Sequence, residues 1–172
     1  MKRLFTILLL FLMLPCLCAC AKEEKLINPV AYHYLRAPQP NGEISHGSAD
    51  SIIAAEIRES DGHQEDYSYL LDIYLLGPLD RDYRSPYPVG TSMKDFQLDG
   101  TTARILLSDD FGKLSGIDLT LACGCLTLTI MDLTGADTVT ISAEDTLLDG
   151  RESITMNRSN IILTDDSAQE TD

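Results

Sequence analysis

The 172 residues carry 27 acidic against 13 basic side chains, a formal net charge of −14. A surface this acidic repels phosphate backbones and anionic headgroups, which disfavours nucleic-acid binding and polybasic adhesion to membranes. At the N-terminus, Lys2 and Arg3 precede an apolar run over residues 4–14, and Leu17-Cys18-Ala19-Cys20 follows. A positive start, a short apolar stretch and a small residue before the cut are the parts of a signal peptide, assigned to residues 1–19. The apolar run is too short to cross ~30 Å of hydrocarbon as a permanent helix.

The cleavage site resembles a bacterial lipobox, in which the cysteine after the cut is diacylated and becomes the new N-terminus. Leu17 at −3 and Ala19 at −1 suit Cys20 as the lipidated residue. Cys18 competes, but it would place Leu17 at −1, where a small residue is expected, and a plain secretory signal with incidental cysteines is the third reading. Residues 20–28, with the polar run KEEK, form a tether, and the remainder suffices for one modest domain. Cys123 and Cys125 then remain. Two residues apart on a helix they would project about 200° from each other, which bars a disulfide, so they read as small apolar groups in or near a core.

Residues 29–36 alternate as a half-buried strand with Val30, Tyr32 and Tyr34 on one face and His33 on the solvent side. Residues 37–50 are a Pro, Gly and Ser-rich loop, and residues 51–58, with Ile52, Ile53 and Ile57, read as a second strand in preference to a short helix. After a turn at Asp61-Gly62, Tyr67, Leu70, Leu71, Tyr74 and Leu75 recur at helical spacing, and Gly77-Pro78 stops the helix. In the following loop, Asp80, Arg81, Asp82 and Arg84 alternate in sign, which makes a solvated surface rather than a metal site.

Residues 93–98 and 101–107 flank Asp99-Gly100, a dipeptide suited to a tight hairpin turn. Residues 116–133 fit a strand or a helix by periodicity. A capping box at Ser115 to Asp118, Gly135 as terminator and the length of the run favour helix. Residues 137–143 form a strand with Val139 and Ile141 on one face. Residues 151–164 are a C-terminal extension able to add a short hairpin, and residues 165–172 an acidic tail expected to be disordered. His33, His46 and His63 stand in strand or loop with no nucleophile and carboxylate placed for catalysis, so no catalytic residue, metal ligand or cofactor is assigned.

The order helix, hairpin, helix, strand is αββαβ. Leu75-Leu76-Gly77-Pro78, then Pro88-Val89-Gly90-Thr91, then the hairpin, then Leu107-Ser108-Asp109-Asp110-Phe111, stand in the order and spacing of a known family. Residues 29–150 resemble the GerM-type sporulation and spore germination domain, GerMN. The resemblance implies an α+β fold, two helices on one face of a sheet of about three strands, similar to ring-building motifs, with extra N-terminal strands. It implies a non-enzymatic lipoprotein on the extracytoplasmic face of the cell membrane, whose partners are envelope or sporulation proteins or its own copies. The alternative reading is a small ligand or cell-wall fragment bound at the loop-rich end, with Tyr83 and Tyr87 stacking on sugar rings.

Overall fold

The computed structural model describes residues 26–38 and 52–161. The signal peptide, Cys20, the start of the tether, the loop beyond residue 38 and the acidic tail lie outside the described residues. The elements run β1 (Pro29–Arg36), β2 (Ile53–Glu59), α1 (Tyr67–Leu75), β3 (Tyr83–Arg84), β4 (Met93–Asp99), β5 (Thr102–Leu107), a 3-10 turn (Asp109–Lys113), α2 (Gly116–Thr134), β6 (Thr138–Ala143) and β7 (Ser153–Asn157).

The fold is α+β, and α1-β4-β5-α2-β6 is the expected αββαβ order. The sheet is wider than the three strands expected. β7, drawn from the C-terminal extension, pairs antiparallel with β6 and makes the order β4-β5-β6-β7. The N-terminal strands form a second sheet, β2-β1-β3. Gly100 adopts φ +59° in the β4-β5 turn, and β5 and β6 lie parallel because α2 carries the chain back between them.

In the four-stranded sheet, Ala103, Ile105 and Leu107 line up with Val139, Ile141 and Ala143 on one buried face. The helices cover it. Long and apolar enough to cross a bilayer by composition alone, α2 instead has β6 and β7 on one side and β1 and β2 on the other. Burial from both sides accounts for a helix that is apolar nearly all round. Gly124 serves that approach, since a Cβ there would stand 3.2 Å from Cδ1 of Ile53.

The helix ends follow local chemistry, with one correction. Asp66 caps α1 by accepting from the Tyr69 N–H at 3.1 Å, and Gly135 closes α2 in the left-handed region at φ +72°. Ser115 occupies the N-cap of α2, but its side chain makes no capping hydrogen bond. Asp149 supplies the carboxylate instead, accepting from the Gly116 N–H at 3.0 Å, where negative charge meets the positive end of the helix dipole.

Candidate interaction site

The corner after α1 is built by residues distant in sequence. Gly77 takes φ +102°, and Leu79 and Asp80 turn back so that their N–H groups donate to the Glu56 carboxylate at 3.0 and 2.7 Å. Glu56 is buried on β2, and it pairs with Arg58 two residues on, on the same face. Arg58 also donates to the Gly77 carbonyl at 2.8 Å, and its guanidinium lies 4.9 Å from the Tyr32 ring centroid and 5.6 Å from that of Tyr34. A desolvated cation over aromatic faces is held by the ring quadrupoles as well as by its carboxylate. The ion pair thus fixes the Leu75-Leu76-Gly77-Pro78 motif in place and leaves Leu76 and Leu79 more than 80% exposed.

Beneath the corner lies a tyrosine cluster. Tyr34 donates to the Tyr74 carbonyl at 2.7 Å, Tyr74 donates to the His33 carbonyl at 2.7 Å, and the Tyr74 and Tyr87 hydroxyls share a hydrogen bond. Burial pushes the phenol of Tyr32 up to about 12 and those of Tyr34, Tyr74 and Tyr87 well above the ordinary tyrosine value. These phenols are neutral structural groups. Tyr87 is buried against Tyr74 and Phe111, and Tyr83 donates to the Ala55 carbonyl at 3.1 Å. The expectation that Tyr87 offers a stacking face to a sugar ring is therefore corrected, because the core takes its ring, while Tyr83 stays half-exposed with its hydroxyl held by β2.

The other motifs meet at a second corner. The Pro88-Val89-Gly90-Thr91 turn closes with the Thr91 N–H donating to the Pro88 carbonyl at 3.2 Å. It docks on the Ser108 to Phe111 loop, where the Ser92 N–H donates to Ser108 Oγ at 3.1 Å and Ser108 N–H to the Ser92 carbonyl at 2.8 Å. Gly90 adopts φ +97°, and a Cβ there would lie 2.5 Å from Oδ2 of Asp110. Gly90→Ala is therefore expected to destabilise the fold by about 1–3 kcal/mol, read as a lowered midpoint in chemical denaturation. An unchanged midpoint would contradict this packing. Thr91 is buried in the turn, and Val89 projects fully into solvent.

His33 is also corrected. It is not on a solvated face: its side chain is 14% exposed, with Nε2 2.7 Å from Oδ2 of Asp132, whose other oxygen accepts from Arg158 at 2.9 Å. Packing of α2 across β1 causes this, and the backbone N–H of His33 donates to Thr129 Oγ1 at 2.8 Å. Cys123 and Cys125 are free and buried, and burial pushes both thiols up to about 12, far from a reactive thiolate. Asp80 and Asp82 turn the exposed loop on itself, the Asp82 N–H donating to Asp80 Oδ1 at 2.9 Å. Among the described residues no group of three His, Cys, Asp or Glu side chains converges to hold a metal ion.

The fold and these corners define an α+β domain with an αββαβ core whose buried polar groups hold turns in place and whose exposed apolar residues stand on those turns. No protein-family model matches the sequence, and no curated protein matches it. Among solved structures, the chain is similar to the tandem GerMN domains of the sporulation protein GerM from Bacillus subtilis, at 13% identity and TM-score 0.49, covering 73% of this chain and 43% of that one. It is also similar to the first GerMN domain of that protein, at 16% identity and TM-score 0.49, covering 76% of this chain and 99% of that one. A candidate lipoprotein from Clostridium perfringens is similar at 15% identity and TM-score 0.45, covering 76% of this chain and 87% of that one.

Proposed function

We propose that the chain is a lipid-anchored protein of the extracytoplasmic face that catalyses no reaction and serves as an interaction or assembly module in sporulation, spore germination or other cell-envelope complexes. The observation that carries the reading is the set of exposed apolar residues on rigidly held corners, Leu76, Leu79 and Val89, which project into solvent. Among the described residues the strand orders leave β2 and β3 outermost in one sheet and β4 and β7 in the other. Exposed apolar anchors on fixed turns are features by which such a module recruits partners.

The anchor is Cys20, and the acidic surface leaves attachment to its acyl chains. Cys20→Ala is expected to move the protein from the membrane fraction to the soluble fraction, followed by immunoblot. Retention in the membrane would contradict the lipobox. Affinity purification of the full chain from membranes tests the interaction role. Co-purified envelope or sporulation proteins support it, and recovery of the chain alone, with a silent deletion in germination and envelope assays, rejects it.

A further inference from the structure

We propose that the outer edge of β7, with the groove between it and α2, binds the C-terminal end of a partner protein as an added antiparallel strand whose terminal carboxylate meets Arg151. The inference rests on the interaction-module reading and names the chemistry of the partner.

The direction of the β7 backbone is fixed by its neighbours. The Thr138 N–H donates to the Thr101 carbonyl at 3.2 Å and the Glu144 N–H to the Leu107 carbonyl at 2.8 Å, so even-numbered residues along β6 turn their backbone groups to β5 and odd-numbered ones to β7. Val139 and Ile141 therefore exchange hydrogen bonds with Met156 and Ile154, while Ser153, Thr155 and Asn157 face away from the sheet. Asn157 is satisfied locally. Its N–H donates to Asn160 Oδ1 at 2.9 Å, and its carbonyl accepts from the Asn160 N–H at 3.2 Å. Among the described residues nothing pairs with the outward backbone groups of Ser153 and Thr155. Two donors and two acceptors thus stand open at strand spacing.

Beside this edge lies a groove of about 240 Å³, with Leu119 and Cys123 of α2 and Ile154 and Met156 of β7 as its apolar floor. A cavity of ~150 Å³ already holds benzene, so this one takes an apolar side chain from a strand laid along the edge. The turn at Asn157 to Asn160 closes one end of the edge, and the turn joining Leu148 to Arg151 closes the other. An added strand is therefore short, and one running antiparallel to β7 ends beside Arg151. Arg151 is exposed at the groove and makes no ion pair among the described residues. Asp149, the acid that shares the groove, holds the Gly116 N–H and does not pair with Arg151. An unpaired guanidinium at the closed end of an apolar groove favours a carboxylate there. Strand addition with capture of a terminal carboxylate is a general mode of peptide recognition.

The test selects a display library of random short peptides with free C-termini on the full chain in detergent. Binders are expected to carry an apolar residue close to the terminus, and amidating that terminus is expected to weaken a selected peptide about tenfold or more. Arg151→Gln is expected to bring the free acid down to the affinity of the amide. Thr155→Pro removes an outward N–H without cutting a bond to β6, and is expected to abolish binding of both. On the native chain, which needs no variant to fold, a selected peptide is expected to protect the Thr155 amide from hydrogen exchange. A library that yields no binder, binders indifferent to amidation, or a Thr155 amide left unprotected overturns the proposal. Affinity purification from membranes with the native chain and T155P separates the two readings. Envelope proteins recovered equally by both reject the groove and keep the module. A native chain recovered alone that still binds the selected peptide at Thr155 rejects the module and keeps the groove.

Discussion

Arg58→Met is expected to lower folding stability by about 3–5 kcal/mol, because it strands the Glu56 carboxylate in a site from which water is excluded. Both side chains of the pair are about nine-tenths buried, so solvent does not screen the loss. Three things fail together: the ion pair, the bond to the Gly77 carbonyl and the guanidinium seat over Tyr32 and Tyr34. Removing both charges, as Glu56→Leu with Arg58→Met, should recover part of the loss. Recovery stays incomplete because the N–H groups of Leu79 and Asp80 lose their acceptor, each orphaned donor costing about 1–3 kcal/mol. Urea unfolding followed by circular dichroism reads both variants. A single variant as stable as the native chain would show that the corner does not depend on the pair.

Tyr74 carries the second large effect. Its ring lies 5.6 Å from that of Tyr32, 5.0 Å from that of Tyr34 and 5.5 Å from that of Tyr87, and it is fully buried. Tyr74→Ala should cost about 3–5 kcal/mol, the range for emptying a large aromatic site in a packed core. Tyr74→Phe keeps the packing and removes the hydroxyl, leaving the His33 carbonyl unpaired, at about 1–3 kcal/mol. The gap between the two variants, measured in the same unfolding assay, separates packing from hydrogen bonding. Equal losses would mean that the hydroxyl network, rather than the ring, holds α1 against β1.

Local chemistry was legible in the sequence. Gly77-Pro78, Asp99-Gly100 and Gly135 each end or turn an element for reasons contained in a few residues, and the structure places all three where the sequence puts them. The long run at 116–133 was harder. Its alternation fits a strand, and what makes it a helix is burial between two sheets, which suits a segment apolar on every side.

What was not legible depends on contacts distant in the chain. Nothing near Glu56 and Arg58 in the sequence says that the turn at Leu79 and Asp80 will bring two N–H groups to that carboxylate. An opposite-charge pair at i and i+2, facing one side of a strand, was the available signal. The alternation of β1 points His33 to solvent because a single strand's pattern does not reveal that a helix crosses its second face. The capping box differs for the same reason: Ser115 stands at the N-cap without a capping hydrogen bond, and Asp149, over thirty residues away in sequence, supplies the carboxylate. The alternative of sugar stacking at Tyr87 arises because a Pro-rich loop looks exposed until the core beneath it is known.

The most direct test of the interaction role is photo-crosslinking in living cells from a reactive amino acid at Leu79, with Cys20 intact and the membrane fraction examined by immunoblot and mass spectrometry. The account predicts covalent adducts of the anchored chain, either with an extracytoplasmic protein or with a second copy of itself. A chain that forms no adduct from Leu79, and none from Leu76 or Val89, would contradict it.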